Sequence, residues 1–240
     1  MDGDNETQKR IASSDGCSSC SFRNSGLCAV VIGINPGTNH CRKIDGAFRA
    51  RQHVYRAGEA PGRIMVLREG WAAKSAFTPD GKRQVLSILL PGDTVGGELV
   101  MRSEARTHVQ ALTPIKYCAF DIDELMASSK HEPKFVWALV GLCSTSREAS
   151  ESRLVDLGRR NAAQRIVSFI LEVFERLTKR GLADGATIPF PLRQHIIADA
   201  LGLTQVHVSR IITALRKRGA IRLTGGKLTI LDMGLLLSDV

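Results

Sequence analysis

The 240-residue chain has no apolar run long enough to cross a membrane. Its longest, around Cys28 to Ile34, is far short of the ~18 residues that suggest a span. The opening stretch, MDGDNETQKRIASSDG, is polar and acidic and lacks the apolar core of a secretory signal. A soluble cytoplasmic protein with no membrane partner is therefore expected. Thiols stay reduced in that compartment, so the six cysteines speak for metal or redox chemistry more than for a disulfide scaffold. Catalytic constellations are missing too. His40, His53, His108, His131, His195 and His207 are scattered, and none sits in a nucleophile or metalloprotease motif. The Gly-rich stretch Pro91 to Leu99 lacks the Gly-Lys-Ser/Thr ending of a P-loop and reads as a strand-to-turn segment. No enzyme is expected.

What the chain has is positive charge and one well-spaced motif. The formal net charge is +9, and residues 151–240 carry fourteen Lys and Arg against eight Asp and Glu. Within that basic part, PLRQHIIADALGLTQVHVSRIITALRKRG is spaced like a helix-turn-helix. Ala198 is the small residue where two helices cross, and Gly202, four residues later, stands where the turn needs a positive φ. Leu201, Leu203, Val208 and Ile211 supply the apolar contacts between the helices. Thr204, Gln205, Val206, Ser209 and Arg210 are left for the outer face of the second helix, a set suited to the major groove of DNA. Beyond Gly219, AIRLTGGKLTILD reads as a hairpin turning at Gly225-Gly226, a wing whose Arg222 and Lys227 would touch phosphates.

Ahead of this region, Cys17, Cys20 and Cys28 form a C-x2-C-x7-C arrangement that follows a polar lead-in. Two thiolates two residues apart reach one metal from a single turn, and the third lies within a short loop's reach. A fourth ligand must come from Cys41, Cys118, Cys143 or a non-cysteine donor. Iron–sulfur and zinc sites both use such spacing, and so does a tail of uncoordinated cysteines.

Residues 48–126 are punctuated by glycines. Ile64 to Leu67, Trp71 to Phe77 and Val85 to Leu90 read as strands, and Thr78-Pro79-Asp80-Gly81 as the turn between two of them. Short strands at this interval suggest a small antiparallel barrel or jelly roll. From about Lys134 the pattern turns helical: Val136, Val140, Cys143, Arg147, Ser150, Leu154 and Leu157 recur at alternating offsets of four and three, as in a coiled-coil seam. Arg147 and Ser150 make the middle of that seam polar, so a dimer built on it is marginal and easily switched. A second amphipathic helix, from about Asn161 to Arg180, buries Ile166, Phe169, Ile170, Val173, Phe174 and Leu177, and Gly181 ends it.

Sensor, long helix and winged helix in this order resemble the Crp–Fnr family of transcription regulators. The most specific segments are LGRRNAAQRI at Leu157 to Ile166 and LGLTQVHVSR at Leu201 to Arg210. The resemblance implies an α+β chain with a cysteine-rich segment at 1–30 and an antiparallel β-roll (jelly-roll-like) sensor domain at 31–129. A dimerisation helix at 130–158 and a winged helix-turn-helix DNA-binding domain at 159–240 complete it. It implies a homodimer on palindromic double-stranded DNA, with RNA polymerase as a further partner. The cysteines resemble those of the oxygen-sensing Fnr branch. ALTPIKYCAFDIDEL then places the fourth ligand at Cys118, so that Cys17, Cys20, Cys28 and Cys118 would hold an oxygen-labile 4Fe–4S cluster that favours the dimer.

Two departures from the family pattern stand out. A Glu usually occupies the place of Val206 in an E-x-x-S-R pattern, of which Ser209 and Arg210 remain. Gly97-Glu98-Leu99 and Arg106-Thr107 echo the phosphate cassette of the cyclic-nucleotide branch, in which Glu98 would accept from a ribose hydroxyl and Arg106 would clamp a phosphate. The alternatives are thus a regulator answering to a small effector such as a cyclic nucleotide or haem, with no cluster, and a DNA-binding protein stabilised by zinc.

Overall fold

A computed structural model of the chain describes residues 17, 20–23, 26–34, 43–129 and 133–238. Cys41, His40, His131 and the polar lead-in lie outside the described residues. Two compact units result. One holds the described residues up to Lys74 and those from Ile88 to Arg147, the other those from Ser75 to Ser87 and from Glu148 onward.

Helix α1 (Gly26–Ile34) is followed by strands β1 (Lys43–Phe48), β2 (His53–Tyr55), β3 (Arg63–Glu69), β4 (Ala72–Phe77), β5 (Arg83–Leu89), β6 (Thr94–Val95), β7 (His108–Ala111) and β8 (Ile115–Asp121), of which β4 from Ser75 and β5 up to Ser87 count with the second unit. The strands form two four-stranded sheets, ordered β1-β8-β3-β6 and β2-β7-β4-β5. This is the expected β-roll. A turn joins β4 to β5, with Gly81 N–H donating to the Thr78 carbonyl at 2.9 Å and Gly81 at φ 81°.

Strand periodicity explains why β3 and β8 are buried on both sides. Met65 and Leu67 of β3 and Tyr117 and Ala119 of β8 enter the core between the sheets together with Tyr55 and Val109. The alternate residues Ile64 and Val66 of β3, with Cys118 and Phe120 of β8, enter a second core covered by Leu27 and Cys28 of α1. Helix α2 (Ile122–Ser129) adds Leu125 to that second core, and Leu139 and Leu142 of the long helix α3 (Pro133–Arg159) pack against it.

In the second unit, α4 (Ala162–Lys179) buries Ile166, Val167, Phe169, Ile170, Val173 and Leu177, while Phe174 is half-buried. Its start is set by a capping box: Gln164 N–H donates to Asn161 Oδ1 and Asn161 N–H to Gln164 Oε1, each at 3.0 Å. Then follow β9 (Thr187–Pro189), α5 (Gln194–Leu201), α6 (Gln205–Lys217), β10 (Ile221–Thr224), β11 (Lys227–Ile230) and α7 (Met233–Leu237). Gly225 and Gly226 both adopt positive φ, 58° and 72°, as a two-residue hairpin turn requires. The wing is a three-stranded sheet ordered β10-β11-β9, with Leu228 opposite Ile188. Arg83 Nε and Nη2 donate to Asp199 Oδ2 at 2.8 and 2.6 Å, which pins α5 in this unit.

Candidate nucleic-acid interface and cysteine site

Helices α5 and α6 meet as the helix-turn-helix spacing requires. Ala198 is buried, and Gly202 takes the left-handed conformation at φ 62° that ends α5. Leu203 N–H donates to the Ala198 carbonyl at 3.0 Å, closing the turn. Leu201 and Val208 are buried as expected, whereas Leu203 and Ile211 are half-buried and Ile212 and Leu215 go deeper. Thr204 is the N-cap of α6, its hydroxyl accepting from the His207 N–H at 3.2 Å. Gln205, Val206 and Arg210 are exposed and Ser209 is half-buried.

The exposed face of α6 extends farther along the helix than the residues the motif names. Thr213 and Lys217 are also exposed, opposite the buried Val208, Ile212 and Leu215. The signal was present as helical periodicity counted from Val208. A cleft of about 670 Å³ separates α6 from the wing and is lined by Arg193, Gln205, Arg216 and Lys227 among others. Four positively charged or amide side chains around one concave surface suit a phosphate backbone. An Arg210→Ala chain should bind its selected operator more weakly by ~1–3 kcal/mol, measured by fluorescence anisotropy. Unchanged affinity would remove Arg210 from the reading set.

Two of the cysteines belong to the second core of the first unit. Cys28 and Cys118 are both buried in it. Cys17 and Cys20 are half-buried, with Cys20 N–H donating to the Cys17 carbonyl at 3.3 Å. Burial pushes the Cys28 thiol up to about 11, and Cys20 and Cys17 add to the rise, against the lowering pull of Lys43 and Arg68. The Cys118 thiol stands at about 12, raised first by burial and then by its bond to Asp45. As the side chains stand, no group of three or more His, Cys, Asp or Glu among the described residues forms a closed ligand set.

Three neighbours of Cys118 escaped the sequence reading. Asp45 lies directly opposite Cys118 across the β1–β8 pair, and Cys118 Sγ donates to Asp45 Oδ1 at 3.3 Å. Lys43 Nζ and Arg68 Nη1 stand 3.2 and 3.6 Å from the same carboxylate. No spacing rule announces them, because they come from two strands paired at long range. On α3, Val136, Val140, Cys143, Arg147, Ser150 and Leu154 are all exposed along the expected seam. Leu157 departs from this pattern: it is half-buried, and a Cβ added at Gly202 would lie 3.8 Å from its Cδ2.

Comparison with known proteins decides the kinship. A Crp-like helix-turn-helix domain model matches residues 164–238, and a cyclic nucleotide-binding domain model matches residues 46–130. The chain belongs to the Crp–Fnr family. It is a DNA-binding transcription regulator of that family, not an enzyme. The nitrogen fixation regulation protein FixK of Bradyrhizobium diazoefficiens is 28% identical over 219 residues, covering 90% of each chain. The transcriptional activator protein FnrL of Cereibacter sphaeroides is 28% identical over 230 residues, covering 93% of this chain and 91% of that one. The structure of FixK2 from Bradyrhizobium japonicum superposes with a TM-score of 0.76 at 22% identity, covering 82% of this chain and 96% of that one.

In this Crp–Fnr chain the Glu98 carboxylate of the cassette echo is bonded within the chain. Glu98 lies in a short 3-10 turn, Gly97–Val100, and its Oε1 accepts from Lys74 Nζ at 2.6 Å and from the Tyr55 hydroxyl at 3.3 Å. Burial works to raise the Glu98 carboxyl, yet Lys74 and the Tyr55 bond hold it below its ordinary range. Arg106, the other half of the cassette, is exposed.

Proposed function

We propose that this Crp–Fnr regulator controls its DNA binding through an oxygen- or redox-sensitive 4Fe–4S cluster held by Cys17, Cys20, Cys28 and Cys118, and that it acts as a homodimer. The observation that carries the reading is the shared burial of Cys28 and Cys118 in one core, with Cys17 and Cys20 near enough to raise the Cys28 thiol. Four thiols are a donor set that suits iron. When bound, the cluster supplies an oxygen-labile link between thiolates.

The chain's own residues provide the coupling. Cys28 rides on α1, whose Leu27 shares a core with Leu139 and Leu142 of α3. Gly26, at the start of α1, faces Leu142, since a Cβ added there would lie 3.8 Å from its Cδ2. A cluster held by Cys28 and Cys118 would keep α1 against β8 and so brace the beginning of α3, whose Leu139 and Leu142 share that core. Val136, Val140 and Cys143 of the exposed seam occupy that same part of α3, with Arg147, Ser150 and Leu154 farther along. A polar, weakly associating seam responds to a small bias of this kind. Only a dimer presents two copies of α6 to half-sites about one helical turn, ~34 Å, apart.

The small-effector alternative requires a cyclic nucleotide to displace Lys74 from Glu98, which the ion pair at 2.6 Å opposes. The test is to purify the chain without oxygen and measure iron, acid-labile sulfide and visible absorption before and after air. Near-equal iron and sulfide with bleaching in air is the expected result. A colourless, iron-free protein that still binds DNA would overturn the cluster and direct calorimetric titration with cyclic AMP.

A further inference from the structure

The side of α6 opposite its buried face carries an apolar residue among polar ones. Val208, Ile212 and Leu215 bury one side of the helix. At roughly 100° per residue, the opposite side is Val206, Arg210, Thr213 and Lys217, and all four are exposed. Gln205 is turned instead toward the cleft beside the wing. Val206 leaves 59% of its surface open. Single exposed apolar residues are common on protein surfaces; position decides here, because Val206 lies one helical turn before Arg210 on the stripe that faces outward.

A valine offers DNA no hydrogen bond. It can neither accept from a cytosine amine nor pair with adenine, and in the major groove the apolar feature of a base pair is the 5-methyl group of thymine. We propose that Val206 reads a thymine methyl in the same half-site in which Arg210 reads a guanine. Four helical residues rise about 6 Å, close to two base steps of about 3.4 Å. The thymine therefore stands about two base pairs from the guanine. This inference rests on α6 being the DNA-reading helix and adds which base its apolar residue selects.

The test selects sites from random duplex DNA with the full-length chain prepared without oxygen. Each thymine of the selected half-site is then replaced in turn by deoxyuridine, which lacks only the methyl. In the parent chain, one replacement about two base pairs from the guanine that Arg210→Ala ceases to require should weaken binding about fourfold per half-site, the equivalent of one buried methyl at ~0.8 kcal/mol. Val206→Ala should bind the thymine and deoxyuridine sites alike; its folding is safe because the side chain is exposed.

If every deoxyuridine site binds the parent as tightly as the thymine site, or if Val206→Ala discriminates as strongly as the parent, the assignment is overturned. Unchanged affinity in both Arg210→Ala and Val206→Ala, or selection of no sequence at all, would show instead that α6 does not read the operator. That outcome removes the underlying reading along with the thymine.

Discussion

A Cys118→Ser chain purified without oxygen should carry little iron, whereas a Cys143→Ser chain should carry as much as the parent. Cys118 is buried beside Cys28 in the core that α1 covers. Cys143 is exposed on α3, in the seam rather than in that core. Serine keeps the size of the side chain but replaces the soft thiolate that iron prefers. The readouts are iron per chain and the dimer fraction by sedimentation. Equal iron in both variants would remove Cys118 from the ligand set.

Loading should also improve with pH, because a thiol must lose its proton to bind metal. Cys28 and Cys118, standing at about 11 and about 12, hold their protons through the neutral range. Without metal the sign is the reverse. Both thiols stay protonated to higher pH in the folded chain than in the unfolded one, where a thiol titrates near ~8.5. Their contribution to stability is then full below about pH 8.5 and lost as pH climbs toward the folded values. Urea melts of the metal-free parent and of Cys28→Ser across that window should separate this loss from other alkaline groups.

The other large effect is expected at a single methyl group. Gly70→Ala should destabilise the chain by roughly 3 kcal/mol or more, through an unfavourable backbone conformation and a steric overlap together. Gly70 links β3 to β4 at φ 82°, and a Cβ there would run into the Pro114 carbonyl oxygen and lie 2.9 Å from Ile115 Cγ2 and Thr113 Oγ1. The neighbouring backbone cannot withdraw cheaply. Trp71 N–H donates to Thr113 Oγ1 at 2.9 Å, and Leu112 N–H donates to the Trp71 carbonyl at 2.7 Å. Gly81, at φ 81° with open space around it, is the control. Gly81→Ala meets the backbone cost alone, about 1 kcal/mol. Denaturant midpoints of the two variants should differ accordingly, and equal midpoints would show that the Pro114 loop yields. Ile115 begins β8 three residues before Cys118, so Gly70→Ala should also impair iron loading.

Features encoded over a few adjacent residues were legible in the sequence. The Asn161 cap and Gly181 bracket α4, Gly202 ends α5 in the left-handed conformation, and Gly225-Gly226 turn the wing. Each depends on local dihedral preference or on a periodicity of 3.6 or 2, which nearby residues decide. The α+β architecture, with its β-roll, long helix and winged helix-turn-helix, followed from these signals and from the family resemblance. The chemistry around Cys118 did not. Asp45, Lys43 and Arg68 reach it only because β1 and β3 pair with β8 across long stretches of chain.

The same division runs through the rest of the molecule. By itself, the sequence determined the helix-turn-helix spacing, the wing turn and the exposed apolar place at Val206. Only the tertiary structure decided that β9 joins the wing sheet, that Lys74 and Tyr55 engage Glu98, and that Leu157 lies against Gly202. Strand register and long-range ion pairs are set by which distant surfaces pack together away from water, and that choice has no signature within a short window of residues.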